Sequence, residues 1–142
     1  MNILIFDTAT AMEIAAVSTD KAVSDQTKKI DTSHSITFFE SIDLALKEIN
    51  IELKDINLIG VGIGPGSFTG LRIGLSTTKG FSFATGKPIV AVSTLEALAW
   101  NLPYCPYPVC TLLDARKKEV YAALFRWEEQ NFTRLMDEAS GK

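Results

Sequence analysis

The sequence predicts an α/β fold in which a mixed sheet of five strands is flanked by helices. Three strand-like segments come first, and helices and strands then alternate, which gives the order β-β-β-α-β-α-β-α up to residue 101. Residues 3–6 are a continuous apolar run, as expected of a strand that is covered on both faces, and residues 56–63 are predicted to form another buried strand. With 142 residues the chain is long enough to bury a hydrophobic core.

The first three strands are predicted to pair as an antiparallel sheet. They comprise residues 3–6, 14–18 and 22–27, and Asp20-Lys21 forms the tip of the hairpin between the second and the third. Short polar side chains after residue 6 favour a turn there.

A first helix is predicted at residues 33–50, because its apolar side chains recur with helical spacing and form a stripe about 120° wide. Such a stripe is typical of a helix that lies on a sheet. Its members are Phe38, Phe39, Ile42, Ala45, Leu46 and Ile49. Ile36 and Leu44 fall outside the stripe, on the side that is expected to face solvent.

A second helix is predicted at residues 68–84, and its apolar residues spread around nearly the whole circumference. The only consistently polar edge consists of Arg72, Ser76 and Lys79. A strip of small residues, which would let another helix approach closely, consists of Gly70, Gly74 and Thr78. In water such a helix must be covered on most sides. We expect its sheet on one side and favour a partner helix on the other, with the rest of the domain as the alternative.

The remaining chain predicts a strand at 89–92 and a helix at 94–101, followed by a proline-rich linker at 102–108. Three further strand-like segments follow, and no helix covers them: 109–113, 120–127 and 132–136. The sequence therefore predicts a first lobe at residues 1–102, and a linker with strands of an incomplete second lobe at 103–142.

Composition narrows the functional classes. The formal net charge of −3 and a pI near 5.1 argue against a dedicated nucleic-acid binder, which normally carries a basic surface. Neither a signal peptide nor a membrane-spanning run is expected, and Cys105 and Cys110 suit reduced thiols, so a cytoplasmic location is predicted.

Three features invite a catalytic interpretation. The glycine-rich segment 64–74 opens a helix, as phosphate-binding loops do, but it lacks the spacing of either common phosphate-binding motif. His34 is the only histidine, so no metal site is predicted. Asp7 and Asp114 each follow an apolar strand, where they could hold a magnesium nucleotide or simply form turns.

Three segments, residues 3–10, 62–74 and 113–121, resemble the signatures of the bacterial TsaB (YeaZ) family, in the order in which that family has them. The resemblance implies the two-lobed fold of actin, hexokinase and heat-shock ATPases, whose lobes are ribonuclease H-like. It also implies a role in making threonylcarbamoyladenosine beside the anticodon of tRNAs that read ANN codons. The family is a distant relative of TsaD, and it lacks the metal-binding histidine pair of TsaD, in agreement with the lone His34.

The resemblance further implies a non-catalytic subunit. Family members bind TsaD through their first two long helices, the pair recruits the ATPase TsaE, and homodimers form through the same helices without TsaD. Such a subunit reaches tRNA only through the complex and does not bind membranes. On this chain the helices are 33–50 and 67–84. The residues expected at the interface are Leu44, Arg72, Ile73, Ser76, Lys79 and Phe83.

A degenerate nucleotide site is expected at Asp7, Thr8 and Asp114. Family members continue well beyond residue 142 and complete the second lobe there. Because the adenosine-binding part of that lobe lies beyond these residues, no cofactor is expected on this chain alone, and ATP with Mg²⁺ is expected only in the complex.

Three rival functions stay open. An ATPase or small kinase would use Asp7 and Asp114, and it would bind nucleotide tightly on its own. A metalloprotease would need bound metal, which one histidine makes improbable. Direct tRNA binding is disfavoured by the acidic composition and would collapse with salt.

Overall fold

The computed structural model describes residues 1–29 and 34–141, with side chains for 1–29 and 38–136. By their internal contacts these residues form two compact units, which are described separately below. The first comprises Met1–Ile63 and Ser67–Ala91, and the second comprises Gly64–Gly66 and the chain from Val92 onward. The strands are β1 (Ile3–Asp7), β2 (Met12–Ser18), β3 (Val23–Lys29), β4 (Leu58–Gly62), β5 (Ile89–Val92), β6 (Val109–Arg116), β7 (Glu119–Glu128) and β8 (Asn131–Gly141). The α-helices are α1 (His34–Glu48), α2 (Phe68–Thr85) and α3 (Thr94–Ala99), and Leu53–Asp55 forms a short 3₁₀ helix.

The five strands β1 to β5 form one mixed sheet in the order β3-β2-β1-β4-β5. Strands β1, β2 and β3 pair antiparallel, which confirms the predicted arrangement, and β4 pairs parallel to β1. The parallel register places Ile5 opposite Gly60 and Phe6 opposite Val61. The C-terminal ends of β1 and β4 therefore lie side by side, and the chain continues from β4 into the glycine-rich turn and α2.

The core of the first unit lies between this sheet and α1. Alternate side chains of β1 and β2 face the helix, and the ring centroids of Phe6 and Phe38 are 5.3 Å apart. Of the stripe predicted on α1, the buried members are Phe38, Ile42, Ala45 and Leu46. Phe39 is an exception with 54% of its surface exposed, because it lies at the edge of the stripe and packs sideways on Phe81 of α2. Ile36 lies outside the described side chains.

Helix α2 turns its small residues toward the sheet. The members of the predicted strip, Gly70, Gly74 and Thr78, are all buried. A Cβ at position 70 would overlap the carbonyl oxygen of Thr8, and one at position 74 would overlap the Thr8 hydroxyl. The prediction that this strip receives another helix is wrong, because the segment that follows β1 already fills it. The helix begins at the Ser67 cap, whose Oγ accepts from Gly70 N, and it ends at the left-handed Gly86.

The second unit is a three-stranded antiparallel sheet in the order β6-β7-β8, with α3 packed against β6 and β7. All three strands end later than the sequence predicts, and β7 and β8 each begin one residue earlier. The buried residues of its core are Leu95, Ala99, Val109, Ala123, Phe125 and Phe132. Because α3 contributes to this core, the division falls before α3, whereas the predicted lobe boundary falls after residue 102.

Within residues 1–29 and 34–141, no helix combines the length and the apolar character that crossing a membrane requires.

Candidate functional site

The most exposed apolar surface on a long helix of the first unit is the solvent-facing side of α2. Phe83 is 95% exposed and Phe68 is 74% exposed. At about 100° per residue, these two side chains share one side of the helix with the predicted polar edge, opposite the buried glycines. We call this surface the outer face of α2; its members are Phe68, Arg72, Ser76, Lys79 and Phe83.

The outer face combines apolar rings with positive charge. The Arg72 guanidinium lies 5.5 Å from the ring centroid of Phe68, which is within the range of a cation–π contact. Helix α2 contains Arg72 and Lys79 and no carboxylate, and neither cation forms an ion pair with the described side chains. A shallow depression beside them is lined by Thr69, Arg72, Ile73, Ser76 and Thr77.

Ile73 and Leu44 differ from the other residues that the sequence assigns to the interface. Ile73 is half-buried and packs against the core of the first unit, so it supports the outer face from its edge. Leu44 is 44% exposed, as predicted, but it lies about 140° around α1 from Phe39 at 100° per residue. Since the ring of Phe39 contacts Phe81 of α2, Leu44 does not lie on the flank of α1 that this contact marks.

Two apolar side chains, Phe68 and Phe39, lie beside the predicted interface but were not assigned to it from the sequence. Phe68 was counted only as part of an all-round apolar pattern, and Phe39 was assigned to the core. The available signal was the Ser67 cap: it fixes Phe68 as the first residue of α2, where a large side chain has little neighbouring helix to cover it.

Asp7 and Thr8 lie together where β1 ends, and they are bound to different neighbours. Asp7 Oδ1 accepts from Ala9 N at 2.7 Å, and Thr8 Oγ1 donates to the carbonyl oxygen of Gly70 at 2.7 Å. Burial raises the pKa of the Asp7 carboxyl, while the backbone N–H groups of Ala9 and Thr8 lower it in part. A Cβ at position 62 would come within 3.0 Å of this carboxyl group, so Gly62 leaves it room.

Asp114 belongs to the second unit and is exposed near the end of β6. Its Oδ1 accepts from Arg116 N at 2.7 Å, which is the hydrogen bond of a turn-forming aspartate. Among the described side chains, which do not include that of His34, no group of three or more His, Cys, Asp or Glu residues could hold a metal ion.

The sheet order, with three antiparallel strands joined to two that alternate with helices, defines an ASKHA-like α/β protein, the class that includes actin. Solved structures agree. The ethanolamine utilization protein EutJ from Carboxydothermus hydrogenoformans superposes with a TM-score of 0.51 at 12% identity, over 99% of this chain and 52% of that one. This likeness concerns the fold alone and confirms the predicted class.

Sequence comparison identifies the family. The model described as "TsaD: tRNA N6-adenosine threonylcarbamoyltransferase" matches residues 12–142. The tRNA threonylcarbamoyladenosine biosynthesis protein TsaB of Bacillus subtilis is 31% identical over 90% of this chain and 56% of its own length. YeaZ from Pseudomonas aeruginosa superposes with a TM-score of 0.89 at 27% identity, over 98% of this chain and 66% of that one. The chain belongs to the TsaB (YeaZ) family of TsaD relatives, and it spans little more than half the length of the curated relatives that it matches.

Proposed function

We propose that this chain is a non-catalytic subunit that binds TsaD through the outer face of α2. In this role it supports threonylcarbamoyl transfer to the adenosine beside the anticodon of ANN-reading tRNAs in the cytoplasm. One observation carries the proposal: a phenylalanine, Phe83, is 95% exposed on a helix whose opposite side is fixed to the sheet. A rigid helix with an exposed aromatic anchor has the character of a binding hot spot.

The chemistry of the outer face describes its partner. Phe68 and Phe83 need an apolar surface, whereas Arg72 and Lys79 favour carboxylates nearby. The partner surface is therefore an apolar helix face bordered by Asp or Glu. The family resemblance implies that this partner surface belongs to TsaD. Because the TsaD family model matches most of this chain, the pairing would join two related proteins.

The same surface serves self-association. In the absence of TsaD, we propose that two copies pair through their outer faces, which would bury Phe83 in each copy. Since one face cannot hold both partners, adding TsaD converts the homodimer into a heteromer. TsaE joins the pair afterwards, through surfaces that include TsaD.

We propose that nucleotide is handled only in the complex. Thr8 is buried and its hydroxyl already donates to the Gly70 carbonyl, so its single donor is not available to a ligand. The raised pKa of Asp7 describes a carboxylate that burial disfavours, not one stabilised by neighbouring cations. The chain alone therefore has no ATPase activity, and ATP with Mg²⁺ enters with TsaD and TsaE.

The experiment is to compare variants for pairing with TsaD by size-exclusion chromatography with light scattering. Phe83→Glu removes the apolar anchor and places a carboxylate on the outer face. The matched control is Val23→Glu, because Val23 is 70% exposed on β3 and lies outside the outer face. We expect Phe83→Glu to weaken pairing about thirtyfold or more, equivalent to about 2 kcal/mol, and the control to pair like the unmodified chain. Equal pairing by both variants would overturn the proposal.

A further inference from the structure

The turn between β6 and β7 concentrates positive charge in an acidic chain. Arg116, Lys117 and Lys118 are the longest run of basic residues in the sequence, and all three are exposed. The formal net charge of the whole chain is −3. This tip of the hairpin, which we call the basic turn, therefore has a local charge opposite to that of the chain as a whole.

The backbone of the basic turn is unusual for the residues it holds. The φ angles of Arg116, Lys117 and Lys118 are 66°, 53° and 66°, all in the left-handed region. A tight hairpin with this geometry normally uses Asn and Gly, because other side chains are strained there. Strained residues of this kind concentrate at sites that bind ligands. Long cationic side chains thus occupy positions where conformational stability favours glycine or asparagine.

The charges of the basic turn are not neutralised within the described part of the chain. Arg116, Lys117 and Lys118 make no ion pair with any described side chain. The acidic residues closest in sequence do not form ion pairs with these cations. Asp114 accepts from the Arg116 backbone N–H, and Glu119 is half-buried at the start of β7. These three exposed cations are available to an anionic partner.

We infer that the basic turn contacts the phosphodiester backbone of structured RNA, as one edge of the surface that receives tRNA. Lysine and arginine at an exposed tip bind phosphates without reading base sequence, which suits a subunit that serves many tRNAs. Contacts with two or three phosphates add affinity to a complex but do not make an acidic chain a strong binder by itself. The inference depends on the role in tRNA modification, and it does not depend on the outer face of α2.

The test measures binding of a fluorescein-labelled tRNA transcript by anisotropy, for the chain alone and for its equimolar mixture with TsaD. The variant Lys117→Glu/Lys118→Glu reverses two charges of the basic turn. The control, Lys21→Glu/Lys54→Glu, makes the same change in net charge at two exposed lysines of the first unit. We expect the turn variant to lose affinity at least about fivefold and the slope of log K against log salt to fall by about 2, with little effect of the control.

Two further measurements separate a loss of positive charge from misfolding of the turn and from a loss of pairing with TsaD. Lys117→Asn/Lys118→Gly removes the charges while relieving the backbone strain, so it should lose RNA affinity although it folds at least as well. Chromatography with TsaD shows whether the variants still pair, so that failure of the proposed pairing is distinguished from failure at the basic turn. Affinity and salt slope equal to those of the unmodified chain, in both samples, would overturn the inference. Displacement of the RNA by micromolar MgATP would also overturn it, because the basic turn would then be a nucleotide site.

Discussion

Thr8 and Gly70 are in direct contact: the Thr8 hydroxyl donates to the Gly70 carbonyl oxygen at 2.7 Å, and a Cβ at position 70 would overlap the Thr8 backbone. This contact fixes the first turn of α2 against the end of β1. Gly74 meets the Thr8 side chain one turn later. Because the small side of α2 faces the sheet, the side with Phe83 faces solvent.

Gly70→Ala is expected to lower the free energy of unfolding by about 3 kcal/mol, because the new methyl group meets backbone that cannot rotate away. Urea unfolding followed by circular dichroism measures the change. Gly80→Ala is the matched control on the same helix, since a Cβ at position 80 has no neighbour within 4 Å. It is expected to raise stability by about 0.5–1 kcal/mol, as alanine is the better helix former. Equal effects of the two substitutions would contradict the described contact.

Asp7→Asn is expected to raise the free energy of unfolding at neutral pH. Burial raises the pKa of Asp7 above its ordinary value of 3.8, so the folded state binds this proton more tightly than the unfolded state does. The stability associated with the proton is complete below pH 3.8 and is lost as the pH rises through the folded pKa. Asparagine keeps an oxygen for the Ala9 N–H and avoids the cost of a buried charge.

The pH dependence of the Asp7→Asn gain provides the check. Chemical unfolding at several pH values should show the gain above the folded pKa and little of it at about pH 2.5, where aspartate is almost fully protonated in both states. A gain of the same size at both extremes would mean that desolvation of the carboxylate is not its cause.

Lys117→Asn/Lys118→Gly is expected to stabilise the chain by about 1 kcal/mol, because Asn-Gly adopts the left-handed turn with less strain. Thermal unfolding at moderate salt measures the gain. The same substitutions at Lys28 and Lys29, which lie within β3, should be destabilising, since glycine and asparagine disfavour strands. A loss of stability in the turn variant would indicate that the lysines do not adopt the left-handed backbone.

Local patterns predicted the helices and strands well, because the spacing of apolar residues in each segment depends only on residues that are close in sequence. The stripe of α1 needs only its own period to identify Phe38, Ile42 and Ala45 as core. Spacing alone cannot say which surface a strip of small residues meets. The strip that contains Gly70 and Gly74 was therefore predicted to pack against another helix, although it faces Thr8, which is distant in sequence.

The exposure of the candidate interface residues was predictable where it follows from helix geometry. It was not predictable where it depends on a neighbouring element. Arg72, Ser76 and Lys79 are exposed because polar residues at this spacing share one side of a helix. Phe39 escaped notice because its environment is set by Phe81 on a different helix. The basic turn also escaped, since nothing in the sequence of a lysine pair indicates a left-handed backbone.

Hydroxyl-radical footprinting of the pair tests whether the outer face of α2 lies against TsaD, as we propose. Oxidation of Phe83 and Phe68 is measured with and without TsaD, with Met12 on β2 as the exposed reference. We expect strong protection of Phe83, which is 95% exposed in this chain, and an unchanged rate of oxidation at Met12. A heteromer in which Phe83 is oxidised as fast as in the chain without TsaD, under conditions where that chain is monomeric, would contradict it.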